Sequence, residues 1–206
     1  EEASSDLAEL RELPTSRRWY HDYLPLAADV AADMDRLSDV RALAEEYLSV
    51  AVDPSEEAKK VAVLSSLARA EVNAALAASG NGREEHVERA RAAVARSRAI
   101  LEEFPPPSGG SVQMETPATY LALAEAELSR AAGPSPELWQ EAISSADYVY
   151  FRMYAQLRLA EALLETGQRE EAAASLRTAH DEASRVGADR LRAHCEALAA
   201  EAGIDL

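Results

Sequence analysis

The sequence predicts an all-α protein built from antiparallel helix pairs. Apolar residues make up 48% of the 206 residues and aromatic residues only 5%, so the core must come mainly from Ala, Leu and Val, and both Ala and Leu favour helices. The 8 glycines and 9 prolines cluster at a few places instead of recurring every ten residues or so, as they do in all-β proteins. We therefore expect long helices joined by few turns.

The N-terminal third carries the less regular helix signals. Its apolar periodicity predicts three helices, over residues 4–13, 16–36 with a bend at Pro25, and 38–52. Asp53-Pro54 then places a capping carboxylate before a proline at a first helical position, which predicts a helix from Pro54 to about Ser79. Gly80-Asn81-Gly82 breaks this helix, and another over residues 83–104 completes a helical hairpin.

A segment rich in proline and glycine follows the hairpin. Residues 105–110, PPPSGG, cannot continue a helix, and with their flank they form the longest predicted loop, residues 105–115. We expect a single helical repeat domain over residues 1–206, and this loop offers the alternative of two parts, 1–104 and 116–206.

The C-terminal half has five predicted helices. They cover residues 117–132, 136–147, 149–166, 169–186 and 188–202. Thr116-Pro117 and Ser135-Pro136 repeat the pattern of a capping residue followed by proline at the first two starts. The breaks lie at Gly133-Pro134, near Asp147, at Gly167 and at Gly187. Connections this short make neighbouring helices antiparallel.

The charge of the chain restricts its partners. A formal net charge of −16 opposes direct binding to nucleic acid, because that binding needs Lys and Arg to displace counterions from phosphates. It also disfavours an anionic membrane surface, and the sequence has no run of about 18 apolar residues. A start unlike a signal peptide and a single cysteine, Cys195, predict a cytoplasmic location. Because the first methionine is Met34, we expect the chain to be part of a longer protein.

A search for catalytic, metal and cofactor sites in the sequence yields none. The four histidines form no helical i, i+4 pair, and the adjacent His194 and Cys195 point to different faces of a helix. No G-x-S-x-G turn is present, and the glycine loops lack the lysine and hydroxyl residue of a P-loop. We expect no catalytic residue, metal or cofactor, and an enzyme using clustered carboxylates is the alternative class.

Internal similarity indicates a repeated helical unit. Three of the predicted helices carry Ala-Glu in a similar setting, at Ala70-Glu71, Ala124-Glu125 and Ala160-Glu161. One stretch has the spacing of small and large residues of a tetratricopeptide repeat, whose unit is about 34 residues: Leu159-Ala160, Leu163, Gly167, Ala172, Leu176 and Ala179. The aromatic positions of that family are mostly Leu, Gln or Arg here. The resemblance therefore implies a divergent, tetratricopeptide-like array of helix pairs stacked as a right-handed superhelix.

A second resemblance covers residues 116–206. TPATYLALAEAELSR and LWQEAISSADYVYFRMYAQLRLAEALLETGQREEAAASLRTAHDEASRVGADRLRAHCEALAAEAGIDL resemble the helical region that precedes the DNA-binding domain of large actinobacterial ATP-binding LuxR-type regulators. In that family an ATP-binding module comes first and a helix-turn-helix domain comes last. Neither motif is visible in these 206 residues, so the resemblance implies that those activities belong to sequence outside the chain.

The binding candidates follow from these resemblances. In a tetratricopeptide fold Glu71, Glu125 and Glu161 would face the concave groove as an acidic ladder for a basic peptide, and the alternative is that they are ordinary exposed glutamates. Tyr154 and Arg158, on the same predicted helix as Glu161, complete the candidate set. Tyr154 also belongs to an aromatic cluster with Trp139, Tyr148, Tyr150 and Phe151. We interpret this cluster as core between helix pairs, with a binding surface as the alternative.

These observations together predict a non-catalytic helical repeat module of a multidomain signalling or transcriptional regulator. The module would bind a protein, peptide or effector and relay its state to neighbouring ATP-binding and DNA-binding domains. A free-standing tetratricopeptide-like adaptor is the alternative function. The expected partners are a protein, a peptide or neighbouring domains of the same chain, and association of two copies stays open.

Overall fold

The computed structural model describes residues 17–49, 54–105 and 116–206, with the backbone alone at residues 17–22 and 54–56. Within these ranges the secondary structure is helical, without strands, which confirms the all-α prediction. Four helices come first: α1 (Arg17–Asp33), α2 (Leu37–Ser49), α3 (Lys60–Ala77), which a 3-10 helix (Pro54–Lys59) precedes, and α4 (Asn81–Glu103). Five follow: α5 (Pro117–Ala132), α6 (Pro136–Ser145), α7 (Val149–Glu165), α8 (Arg169–Val186) and α9 (Asp189–Ala202). The helix predicted over residues 4–13 lies outside the described residues.

The chain divides into two compact units, Glu1–Gly110 and Ser111–Leu206, called unit 1 and unit 2 below. In unit 1, α3 packs against α1, α2 and α4. In unit 2, each helix from α5 to α9 packs against the next, and α7 also contacts α9. Because only a few residues join most of these helices, consecutive neighbours run antiparallel.

The core of unit 1 forms around α3, which is covered on almost every side. Its largest fully buried apolar side chains come from three helices: Leu24 on α1, Val40 and Tyr47 on α2, and Val61, Val63 and Leu64 on α3. The buried Arg69 of α3 binds Asp29 of α1 at 2.8 Å and Asp33 at 3.0 Å. The ion pairs supply the partners that a buried guanidinium requires.

The core of unit 2 combines a few large side chains with many alanines. Its largest fully buried side chains are Trp139 on α6, Met153 and Leu157 on α7, and Leu176 on α8. Between them lie alanines that are completely buried, among them Ala160, Ala172 and Ala179. Small side chains at these contacts let α7 and α8 pack at a short interaxial distance.

Helix ends in unit 2 follow the sequence punctuation. The Thr116 side chain accepts a hydrogen bond from the backbone N–H of Thr119 at 3.3 Å, which caps α5 as predicted. Gly187 ends α8 with φ 74°, a left-handed conformation that glycine adopts without strain. Pro136 opens α6, but the Ser135 side chain makes no capping bond, since its hydroxyl donates to Glu137 Oε2 at 3.4 Å.

Helix starts in unit 1 differ from the prediction in two places. Residues 54–59 form a 3-10 helix instead of the first turns of an α-helix, a frequent arrangement at helix N-termini, and the predicted cap at Asp53 lies outside the described residues. The helix α4 begins at Asn81 rather than at residue 83. Gly80 has φ 60°, so one glycine makes most of the turn that three residues were expected to make.

Candidate functional site

Three of the five predicted binding residues lie together on one face of α7. Tyr154, Arg158 and Glu161 are spaced i, i+4 and i+7, which places them on one side of a helix. Arg158 Nε donates to the Tyr154 hydroxyl at 3.2 Å, and Arg158 NH1 donates to both Glu161 carboxylate oxygens at 2.8 Å. The guanidinium carbon also lies 5.1 Å from the Tyr154 ring centroid, within the range of a cation–π interaction.

A buried glutamate connects this face of α7 to α5. The Tyr154 hydroxyl donates a hydrogen bond to Glu127 Oε1, and Arg130 NH1 donates to Glu127 Oε2 at 2.7 Å. Glu127 is only 1% exposed, so its charge needs donors such as these two. The tyrosine and the arginine therefore hold a carboxylate where an unpaired one would be strongly unfavourable.

A histidine continues the contacts from α7 to α9. His194 Nε2 lies 3.5 Å from Glu161 Oε1. We call the whole set the polar seam, and its six members are Glu127 and Arg130 on α5, Tyr154, Arg158 and Glu161 on α7, and His194 on α9. Exposure increases along it, since the side chain of Arg158 is 12% exposed, that of Glu161 22% and that of His194 46%.

Arg158 and Glu161 keep their charges over a wide pH range. Burial alone would raise the pKa of Glu161, but the hydrogen bond from His194 and the charge of Arg158 outweigh it and lower that pKa to about 2. Burial would lower the pKa of Arg158, but Tyr154 and Glu161 raise it above the ordinary arginine value. Arg158 and Glu161 therefore stay ionised near neutrality, and neither serves there as a proton donor or acceptor.

The two remaining candidates lie elsewhere. Glu125 is half-buried on α5, and the glutamate that meets α7 is Glu127, which the sequence analysis did not select. Arg130, three residues after Glu127, is a signal for an ion pair on one helix face. That signal is present in the sequence, but it does not show that the pair is buried.

Glu71 lies in unit 1 and is almost fully buried on α3, with 1% exposure. Arg41 on α2 donates to both of its oxygens, at 2.6 and 2.9 Å, and His86 Nδ1 on α4 lies 2.7 Å from Oε2. Burial opposes ionisation here, but the hydrogen bonds from Arg41 and His86 lower the pKa of Glu71. Both oxygens of this carboxylate are bonded to residues of unit 1, so Glu71 is not free to bind a basic peptide as the acidic ladder requires.

Most of the aromatic cluster packs inside unit 2. The rings of Trp139 and Tyr154 meet edge to face at 6.2 Å, and Tyr150 and Phe151 do so at 5.5 Å. Tyr148 is 43% exposed. The interpretation as core therefore fits Trp139 and Tyr154, and Tyr148 is the member that reaches the surface.

The described part of the chain offers no cluster of metal ligands, since no group of three or more His, Cys, Asp or Glu side chains there is arranged to hold a metal ion. No helix in the described ranges is both long and apolar enough to cross a membrane. Cys195 is completely buried, and burial raises the pKa of its thiol to about 11, which opposes formation of the nucleophilic thiolate.

Comparison with known proteins gave no match to a family model, a curated protein or a solved structure.

Proposed function

We propose that the chain is a non-catalytic helical repeat module of a multidomain signalling or transcriptional regulator. It binds a protein, peptide or effector and relays that state to neighbouring ATP-binding and DNA-binding domains. The observation that carries the proposal is the polar seam, because it links α5, α7 and α9, which are the first helices of successive repeats in this proposal. A conformational change in one repeat can therefore act on the next repeat through a direct contact.

The burial pattern supports a tetratricopeptide-like stacking of unit 2. Ala160, Ala172 and Ala179 occupy small-residue positions of the repeat pattern, and all three are completely buried. Ala124 on α5 and Cys195 on α9 are also completely buried, and they lie about 35 residues before and after Ala160, close to one repeat length. In the proposed right-handed superhelix these are the positions where neighbouring repeats approach most closely.

The exposed end of the polar seam is the proposed contact for a partner. Glu161 and His194 are the accessible members, and Arg158 behind them fixes the position of the carboxylate. A basic group of the partner that pairs with Glu161 competes with His194 for the Glu161 carboxylate. Binding of the partner therefore favours a different contact between α7 and α9. A ligand shifts such an equilibrium only by its difference in affinity for the two states.

The wider assignment follows from the resemblance to ATP-binding LuxR-type regulators. In this proposal the module acts in the cytoplasm, its partners are a protein, a peptide or the flanking domains, and another domain of the parent protein binds DNA.

The complete open reading frame that encodes the chain tests this assignment. A P-loop sequence before the chain and a helix-turn-helix after Leu206 are expected, and a frame that holds neither contradicts the regulator and favours a free-standing adaptor.

A matched pair of variants tests the role of the polar seam in the intact protein. Glu161→Gln removes the charge that joins α7 to α9, whereas Glu165→Gln makes the same change at an exposed position of α7. We expect Glu161→Gln to alter the dependence of DNA affinity on nucleotide and Glu165→Gln to leave it unchanged. If both variants had the same dependence of DNA affinity on nucleotide, the polar seam would have no part in the relay.

A further inference from the structure

Unit 1 contains a groove that is separate from the polar seam. The helices α2 and α4 both pack on α3, and a groove of about 720 Å³ lies between them. Each helix contributes one stripe of lining residues with the i, i+3/i+4, i+7 spacing of a single helix face. The stripes begin and end at Arg41 and Ser49 on α2, Leu64 and Glu71 on α3, and Arg89 and Arg96 on α4. The groove is therefore two helical turns long, roughly 10 Å.

The apolar lining of the groove suits a helix as occupant. The half-buried Leu48 and Leu67 supply the accessible apolar lining, and the buried Leu64, Ala44 and Ala93 lie behind or beside them. Alanines at these positions let another helix axis come within the 8–10 Å that packed helices need. A helix that binds there with apolar residues at positions i, i+3 or i+4, and i+7 carries an apolar stripe as long as the stripes that line the groove.

The charge of the groove is opposite to that of the chain. Three arginines line it, Arg41, Arg89 and Arg96, against the two glutamates Glu45 and Glu71, in a protein of net charge −16. Glu71 is already ion-paired with Arg41 and in contact with His86, as described above.

The two arginines on the α4 rim are the available cations. Arg89 is exposed and has a long contact with Glu85, 3.5 Å, which contributes little at the surface. Arg96 is exposed, and within the described part of the chain it makes no ion pair or hydrogen bond. These guanidinium groups lie two helical turns apart on one side of the apolar lining.

We propose that this groove binds an amphipathic helix with acidic residues from a partner protein. The apolar stripe of that helix packs on Leu48 and Leu67, and Asp or Glu side chains two turns apart pair with Arg89 and Arg96. A basic helix places like charges against the α4 rim and is disfavoured. The inference goes beyond the proposed function, which depends on the polar seam in unit 2, and either can fail without the other.

Selection from a peptide library tests the groove. Displayed 16-residue helical peptides carry a fixed leucine stripe and random residues elsewhere, and the target is the whole 206-residue chain. We expect enriched peptides to carry Asp or Glu beside the stripe, with a spacing of about seven residues. Their affinity should fall as salt rises from about 50 to 300 mM, because surface charge pairs are screened.

Variants of the chain locate the binding. Arg96→Glu should weaken an enriched peptide about tenfold or more, whereas Arg91→Glu, the same change at an exposed position of α4 outside the groove, should weaken it less than about twofold. Ala92→Trp, at an exposed lining position, should block the groove and abolish binding while the helical dichroism is kept.

Three results would overturn the proposal. The first is enrichment of basic peptides, or no enrichment above the starting library. The second is an equal loss of affinity with Arg96→Glu and Arg91→Glu. The third is full binding by Ala92→Trp, which would place the peptide elsewhere on the chain.

Discussion

Tyr154 on α7 donates its phenolic hydrogen bond to the buried carboxylate of Glu127 on α5, and so one hydroxyl joins two helices that are not consecutive in the chain. The same oxygen accepts from Arg158 Nε. The tyrosine therefore lies between a buried anion and a nearly buried cation, and each of them depends on it for a hydrogen bond.

Removal of this hydroxyl should destabilise unit 2. Tyr154→Phe keeps the ring contact with Trp139 but removes one hydrogen-bond donor from the buried Glu127 carboxylate. The loss of a hydrogen bond to a buried charge costs about 1–3 kcal/mol, and urea unfolding of the variant measures it. Tyr148→Phe, which removes the same group from an exposed position, should change the free energy of unfolding by less than about 0.5 kcal/mol. Equal effects would mean that the Glu127 contact contributes nothing to stability.

Ala160→Leu should overpack the contact between helices in unit 2. Ala160 is completely buried, so the added methyl groups must displace neighbouring atoms at a cost of about 1–3 kcal/mol. The comparison variant is Ala174→Leu, since Ala174 is exposed on α8 and tolerates a larger side chain. Thermal unfolding followed by far-ultraviolet dichroism should show a lower midpoint for the first variant alone. An unchanged midpoint for Ala160→Leu would contradict the assigned repeat register.

The stability contributed by ionised Glu161 should be lost in acid. The pKa of Glu161 is lowered from 4.5 to about 2 in the folded chain, so the unfolded state takes up the proton first as the pH falls. The contribution is therefore complete above about pH 5 and declines between about pH 4.5 and 2.

Urea unfolding at pH 6 and pH 3 measures this dependence. The advantage of the natural chain over Glu161→Gln should shrink by roughly 1–2 kcal/mol between the two values. Glu165→Gln serves as the comparison, because Glu165 is exposed on the same helix. Its free energy of unfolding should equal that of the natural chain at both pH values. A gap that stays constant with pH would show that the carboxylate of Glu161 is not held ionised by its neighbours.

The chain should not bind DNA. Its net charge is −16, and its densest basic stretches, residues 83–98 and 185–192, are interleaved with Glu or Asp, so neither forms a continuous basic surface. We expect no retention on a nonspecific DNA column at about 50 mM salt, where electrostatic attraction is strongest. Retention under those conditions would show a localised basic surface that the sequence order conceals.

The fold could be predicted from the sequence where local signals determine it. The bounds of α5 and α8 agree with the prediction because Thr116-Pro117 and Gly187 act within one turn of the helix end. The start of α3 was less accurate, since the choice between 3-10 and α-helix over residues 54–59 involves similar backbone angles. Capping residues and prolines in the sequence do not distinguish a 3-10 helix from an α-helix.

The contacts of the candidate site were harder to predict. Tyr154, Arg158 and Glu161 share a helix face, which spacing alone reveals. The burial of Glu71 does not follow from its own surroundings, since Arg41 and His86 approach it from two other helices. Glu127 was missed for the same reason, because Tyr154, the residue that joins it to α7, lies on a different helix.

The buried thiol of Cys195 has a practical consequence for spectroscopy. It is the single cysteine of the chain, it is completely buried, and a pKa of about 11 leaves only about one thiolate in 10⁴ at pH 7. Maleimide and nitroxide reagents need an accessible thiolate, so the native protein should remain nearly silent to them. A cysteine introduced at an exposed groove residue such as Ala92 can then carry a probe in an otherwise unaltered background, and no cysteine-free variant has to be prepared first.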